Sequence, residues 1–383
     1  MKVTKLTVTH FDQCLWSSFD RQFDLRMCSP MEKYCLGLKE WFWDRCVAVV
    51  EIETDEGHSG IGWCEDGCSA VPGIINNHLG RLVVGQDPFD YEGIWDRLYR
   101  ASIPYGRKGA ALEAIAAIDI ALWDIMGKAT KKSVAALLGG AGVQKVPVYA
   151  SGLHHVEPEK TRAESADYVK QGYTAMKCRF AYGPADGAAG MKENVEHVRA
   201  IREAVGDGIG IMVDAYMGWN LPYAIEICRH LDPLDISWLE EPFLPDDLNS
   251  YAELRRRTSI PVAGGEHEFT RFGFQQMLEK GAIDIIQLDL HRCGGITEGR
   301  RIANLASAYN LPVNPHAFSS VHAAFVAATP GAHYVEYFPI PIWEREEWKT
   351  MPPLIQGQPG IERGFCPVPQ GPGLGISLNR ELT

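Results

Sequence analysis

The chain has 383 residues, 46% of them hydrophobic and 22% charged, and a formal net charge of −12. That length suggests about two domains and a core large enough to fold without disulfide or metal staples. The acidic balance argues against nucleic acid or an anionic membrane as partner, yet leaves a small anionic substrate open, because a few cations in a pocket decide that locally.

Residues 2–10 alternate polar and apolar side chains as a strand does, with no apolar leader core. The Val- and Ile-rich residues 46–54 predict a second strand, and residues 15–40 between them read as a long loop mixing aromatics with Arg21, Arg26, Lys33 and Lys39. From Ala110 to Gly127 an Ala-rich apolar stripe containing Ile115, Ile118, Leu122 and Ile125 predicts a buried helix, closed off by Leu137-Leu138-Gly139-Gly140. The ten cysteines are scattered and read as buried free thiols; Cys64 and Cys68 lack a second pair at zinc-finger spacing. No apolar run is long enough to span a bilayer, so a cytoplasmic protein is expected.

From about Val146 the pattern changes. Short apolar runs recur at 146–150, 175–180, 210–215, 236–239, 261–263, 285–290, 312–315 and 334–338, most of them separated by segments of helical period. Strand and helix alternating about eight times predicts a parallel sheet with covered faces, the pattern a closed (β/α)8 barrel requires. The Pro- and Trp-rich sequence after Pro339 gives no clear eighth helix. In the tail, Gly371 to Gly375 lacks the Lys-Ser/Thr of a phosphate loop and reads as a turn before a strand at 376–378 that packs back on the first domain.

What ends these runs points to chemistry. Met212-Val213 leads into Asp214, Trp238-Leu239 into Glu240-Glu241-Pro242, and Gly264-Gly265 into Glu266-His267; Leu288 meets Asp289, Pro315 meets His316, and Val335 meets Glu336. One acid at a strand end is an ordinary surface residue or helix cap. Acids at three successive strand ends converge on one rim of a barrel, where a cation must offset their burial. Asp214 to Glu240 and Glu240 to Glu266 are each 26 residues, one strand–helix unit. Oxygen ligands without cysteine suit a hard ion, Mg2+ with Mn2+ as the alternative. Spacing leaves Glu240 and Glu241 open as ligand, and strand alternation admits only one of them to the interior. Lys177 and Arg179 share one face of their strand and Cys178 takes the other. Asp289 and His316 end consecutive strands, so the carboxylate can orient the imidazole.

Val213-Asp214-Ala215, Trp238-Leu239-Glu240-Glu241-Pro242, Gly265-Glu266-His267, Leu288-Asp289 with Cys293-Gly294-Gly295, Pro315-His316, and the segment from Ile118-Asp119-Ile120 through Leu137-Leu138-Gly139-Gly140 occur in the order seen in the enolase superfamily. The chain resembles its mandelate racemase branch over nearly its whole length. The resemblance implies an α/β fold: a modified (β/α)7β TIM-type barrel at 141–355, an α+β capping domain at 1–140 and a tail at 356–383 returning to the cap. It implies Mg2+ on Asp214, Glu240 and Glu266, acid/base catalysis by His316 oriented by Asp289, and a hydrogen bond from Glu336 to the enolised carboxylate. It also implies a homo-oligomer.

Many members carry Lys-x-Lys on the second barrel strand, where this chain has Lys177-Cys178-Arg179. Arginine keeps its proton, so Arg179 makes a poor base and a good carboxylate partner. A two-base racemase is thereby disfavoured, and a dehydratase with one versatile histidine is expected, acting on an aldonate or aldarate to give a 2-keto-3-deoxy acid. Gly265-Glu266-His267-Glu268 is similar to the rhamnonate-dehydratase type, which brings His267 within reach of substrate. Tyr216, Tyr105, Arg107, Lys108 and Arg21 are further candidate substrate contacts, weighed against solvated loop charges. The rivals are an epimerase, racemase or lactone cycloisomerase of the same superfamily and, more remotely, a non-catalytic binding or structural protein. An amidohydrolase-type barrel would need His-x-His on the first strand, whereas His154 and His155 are adjacent and point to opposite sides.

Overall fold

The computed structural model describes residues 1–11, 26–31, 47–64, 69–342 and 353–382. Strands β1 (Val3–Phe11), β2 (Val47–Thr54) and β3 (Ser59–Cys64) form an antiparallel sheet in that order. Alternation predicts the first two; the third escaped because Gly60 and Gly62 dilute its pattern. Those glycines have a packing reason. A Cβ at Gly62 would sit 2.0 Å from the Ala117 carbonyl oxygen, and one at Gly60 2.3 Å from that of Ala121. The sheet thus lies directly on a helix. Helices α1 (Val71–Asn77), α2 (Tyr91–Ser102), α3 (Ala110–Thr130) and α4 (Val134–Leu138) complete this part. Helix α3 is buried on every side from Ala111 to Gly127, as a composition that is apolar all round except for Glu113, Asp119 and Asp124 dictates. On its far face Asp119 accepts the Thr297 amide at 2.9 Å and Trp123 Nε1 donates to Thr297 Oγ1 at 2.9 Å, which joins it to the barrel.

The barrel staves are β4 (Lys145–Gly152), β5 (Ala175–Arg179), β6 (Gly210–Asp214), β7 (Ile236–Glu240), β8 (Val262–Gly264), β9 (Ile285–Ile286) and β10 (Val335–Tyr337), paired in parallel in the order β10-β4-β5-β6-β7-β8-β9. The run at 312–315 contributes a single bridge, Ile286 with Val313, and is held to the β9 segment by the amides of Ile286, Asn314 and His316; on its other side Val313 donates to the Gly331 carbonyl, and Pro315 has no amide hydrogen to continue. Seven helices follow in turn: α5 (Pro158–Lys170), α6 (Gly187–Val205), α7 (Leu221–Leu231), α8 (Leu248–Arg255), α9 (Thr270–Lys280), α10 (Gly295–Ala308) and α11 (Ser320–Ala328). Among the described residues no α-helix follows β10, so the fold is a (β/α)7β barrel beside a separate antiparallel sheet; residues 343–352 lie outside the description. Tyr149, Ala175, Met212, Trp238, Ala263 and Ile285 fill the barrel floor. Met176, Cys178, Val213 and Leu239 face the helices.

The tail returns through β11 (Ile355–Gln356), β12 (Phe365–Pro367) and β13 (Ser377–Leu378): β12 runs antiparallel to the start of β4, and β11 pairs with β13. Asp124, fully buried on α3, ties three segments together. It accepts the Leu374 amide at 2.9 Å, the Ile61 amide at 3.1 Å and Lys128 Nζ at 2.7 Å. Burial raises its pKa against the pull of Lys128 and the two amides. Asp124→Ala strands two buried amides and is expected to lower stability by about 2–4 kcal/mol. Urea unfolding measures this, and a loss below about 1 kcal/mol refutes it.

Of the described cysteines, Cys178, Cys228, Cys293 and Cys366 are buried free thiols, and Cys28 and Cys64 are buried as well; Cys14, Cys35, Cys46 and Cys68 lie outside the described residues. Among the described residues no helix is long and apolar enough to cross a membrane.

Candidate active site

Parallel staves end on one rim, and the register brings Arg179, Asp214 and Glu240 side by side on β5, β6 and β7. Asp214, Glu240, Glu266, Asp289 and Glu336 are each at most 3% exposed. Lys177 sits among them, fully buried. Its Nζ is hydrogen-bonded to Glu240, 2.8 Å from Glu336 Oε1 and 3.5 Å from Asp214 Oδ2. Burial alone would strip the ammonium of its proton, but Glu240, Glu336 and Asp214 hold it well above the ordinary lysine range. Arg179 donates to Asp214 Oδ2 at 2.8 Å, and the Tyr216 amide caps Asp214 Oδ1 at 2.9 Å. Cys178 turns outward, as the alternation requires.

Across the mouth, His316 Nδ1 lies 2.8 Å from Asp289 Oδ2. An ionised carboxylate only accepts, so Nδ1 carries the proton and Nε2 is turned toward Glu266 Oε2 at 3.5 Å and Glu336 Oε2 at 4.0 Å. Burial pushes the imidazole pKa down, but Glu266 and the bond to Asp289 outweigh it and raise it to about 9. Glu336 is pulled down to about 2, against its burial, by Lys177 and His316. Glu240 moves the other way, up to about 7: burial and the nearby Asp214, Glu336 and Glu266 outweigh Lys177.

Glu240 and Glu241 do not divide between inside and outside as strand alternation predicts. Strand β7 stops at Glu240, and Glu241 takes a left-handed backbone with φ 38°, so both carboxylates are buried and both reach the cluster. Glu240 also accepts from Trp238 Nε1 at 3.0 Å and Gln287 Nε2 at 2.7 Å, while Glu241 Oε2 lies 2.7 Å from His267 Nδ1. Among the described residues, Glu241, Glu266 and His267 have ligand atoms all within 4.8 Å of one another. Glu266 belongs both to this group and to the expected ligand set; Asp214 and Glu240 are spread around Lys177 instead.

The remaining candidates scatter more widely. His267 is 3.7 Å from Glu266 and packs edge-on against Tyr216 with ring centroids 5.7 Å apart. Lys108 reaches from the cap to Glu268 Oε2 at 2.7 Å. Tyr105 is half exposed and its hydroxyl meets His78 Nδ1 at 2.8 Å, and Arg107 is exposed on the same loop. Arg26 stacks on Tyr182, with its guanidinium 4.4 Å from the ring centroid, and pairs with Asp186. Arg21 lies outside the described residues. Two participants went unnoticed in the sequence. Gln287 shares the strand parity of Asp289, which was a usable signal. Arg292, 3.2 Å from Glu266 Oε1 and 3.7 Å from Asp289 Oδ2, sits in the loop after the strand and gave none.

Residues 160–382 match the family described as enolase C-terminal domain-like, and residues 43–139 match the mandelate racemase / muconate lactonizing enzyme N-terminal domain. The chain is 36% identical over 372 residues to an L-rhamnonate dehydratase of Saccharopolyspora erythraea, covering 95% of this chain and 92% of the relative. Its structure superposes with a TM-score of 0.88 on rhamnonate dehydratase from Gibberella zeae complexed with Mg, at 30% identity over 100% of this chain and 95% of that one. The 3,6-anhydro-D-galactonate cycloisomerase of Zobellia galactanivorans follows the same fold, with a TM-score of 0.80 and 29% identity over 100% and 98% of the two chains.

Proposed function

Because the chain belongs to the mandelate racemase / muconate lactonizing enzyme family of the enolase superfamily, on the rhamnonate dehydratase side, we propose that it is a Mg2+-dependent hydro-lyase that dehydrates a sugar acid to a 2-keto-3-deoxy acid. The observation that carries this reading is the asymmetry of the mouth. One side holds an imidazole on a carboxylate, and the other holds Lys177 and Arg179, neither of them free to accept a proton.

The donor set fits a hard divalent cation. Six buried carboxylates (Asp214, Glu240, Glu241, Glu266, Asp289 and Glu336) meet three permanent cations (Lys177, Arg179 and Arg292), a surplus of negative charge in a low-dielectric site. Asp214, Glu240 and Glu266 would hold the ion, which when bound would supply positive charge to stabilise the negative charge that develops as the α-proton is lost. His316 Nε2 takes that proton and returns it to the departing 3-hydroxyl, since a single group on one face serves both transfers. Asp289 keeps the tautomer that leaves Nε2 free. Lys177 and Arg179 act as fixed charges, with no lone pair to offer a substrate. Glu336, held ionised by Lys177, can only accept, so a hydrogen bond from it to an enolised carboxylate requires it to gain a proton when an anionic substrate arrives. His267 and Tyr216 line the substrate side. We place the enzyme in the cytoplasm as a homo-oligomer.

Purified protein with Mg2+ is expected to yield keto acid, read as semicarbazone absorbance, from at least one member of a stereochemically complete acid-sugar panel, and to lose that activity under EDTA. Deuterium entering the α-carbon without keto product would make it an epimerase or cycloisomerase instead.

A further inference from the structure

His154, just beyond the end of β4, is 8% exposed, yet neither ring nitrogen has a hydrogen-bond partner. A buried imidazole left this way forgoes bonds that it makes in water, and native interiors leave few polar groups so. Its placement is imposed by the backbone. Leu153 adopts a left-handed φ of 47°, unusual for a branched residue, and its carbonyl is 2.9 Å from His197 Nε2. The two histidines that follow are adjacent and point to opposite sides of the chain. His155 packs on His197 and Tyr182, with ring centroids 5.1 and 5.2 Å away. The charges of Arg179 and, after it, His197 both act on His154. Burial, helped by Arg179, pushes the His154 pKa down to about 3, so the ring is neutral.

A neutral imidazole offers one donor and one acceptor, which complements a hydroxyl; an anionic group would call for donors only, which Lys177 and Arg179 already supply. The first stave adjoins both ends of the proposed site: β4 pairs with β10, which carries Glu336, and with β5, which carries Lys177. We propose that His154 is a specificity-determining residue that hydrogen-bonds a hydroxyl on the polyol chain of the substrate, beyond the two carbons that react. This inference rests on the sugar-acid dehydratase reading above. Buried groups that read a hydroxyl discriminate strongly against an analogue lacking it, because they are left unpaired.

His154→Leu removes both polar atoms, and His154→Gln keeps one donor and one acceptor. With the best acid sugar of the panel, His154→Leu is expected to raise KM by about 10- to 100-fold while kcat changes less than about threefold, and His154→Gln to recover most of the loss. Across mono-deoxy analogues of that substrate, the difference between parent and His154→Leu should vanish for one analogue and persist for the others. The Leu variant should unfold at the parent's temperature or above it, since an unpaired buried polar group has been removed. An unchanged KM, an equal loss on every mono-deoxy analogue, or a lower unfolding temperature in both variants overturns the proposal, the last making His154 a structural residue. A parent protein that dehydrates no acid sugar sinks the dehydratase reading and this inference with it. An active parent with indifferent variants sinks this inference alone.

Discussion

Replacing His316 with asparagine is expected to lower kcat/KM by at least about 1000-fold, the loss appropriate to a general base and acid served by one group. Asparagine fits the space and can still meet Asp289, so the circular dichroism and unfolding midpoint should stay near the parent's. Mg2+ affinity should be unchanged or tighter, because an imidazolium 3.5 Å from Glu266 competes with a cation for that carboxylate. The pH dependence follows from the same contacts. A base must be neutral to act, and His316 stands at about 9 with Glu266 and Asp289 uncompensated, so activity rises with pH through the His316 pKa. A divalent cation that neutralises Glu266 moves this acid limb below 9. Exchange of the substrate α-proton in D2O isolates the step. More than about a tenth of the parent rate in His316→Asn would remove His316 from the chemistry.

Mg2+ binding should fall by at least about 100-fold in Asp214→Asn, Glu240→Gln and Glu266→Gln, and by much less in Glu241→Gln. The contrast matters because two ligand sets overlap at Glu266. One gathers Asp214 and Glu240, whose negative charge is shared with Lys177; the other gathers Glu241 and His267, which already bind each other at 2.7 Å. A hard cation prefers carboxylate oxygens to an imidazole, and His267 is drawn toward protonation, against its burial, by Glu241 and Glu266. Calorimetric titration of the four variants decides between the two sets. If Glu241→Gln abolishes binding and Asp214→Asn does not, the ion belongs to Glu241, Glu266 and His267, and the expected assignment fails.

The barrel was legible because parallel strands buried on both faces must be apolar throughout, so each stave shows as a short run ended by a polar residue. The stave at Val313 reads like the others, but it joins its neighbour through a single bridge to Ile286. Strand β3 stayed hidden for the opposite reason: Gly60 and Gly62 are there for the helix beneath, and a glycine carries no mark of burial. At the site, Asp214, Glu266, Asp289, His316 and Glu336 were readable as charges that end apolar runs. Arg292 was not, because a loop arginine looks solvated until the backbone folds it onto Glu266. Glu241 was misjudged because alternation holds only while the strand lasts. His154 gives no signal beside His155, and the left-handed Leu153 that precedes the pair has no signature in sequence.

The bond from Lys108 to Glu268 bears on how this enzyme could be re-engineered. Glu268 is nearly enclosed and lies two residues from Glu266, so the cap loop and the strand end that carries Glu266 share one charge pair. A grafted cap that brings a new specificity loop without a cation at this position would leave an enclosed acid without its counter-charge next to the segment proposed to bind the metal. Such chimeras should therefore be built with the lysine transplanted along with the loop.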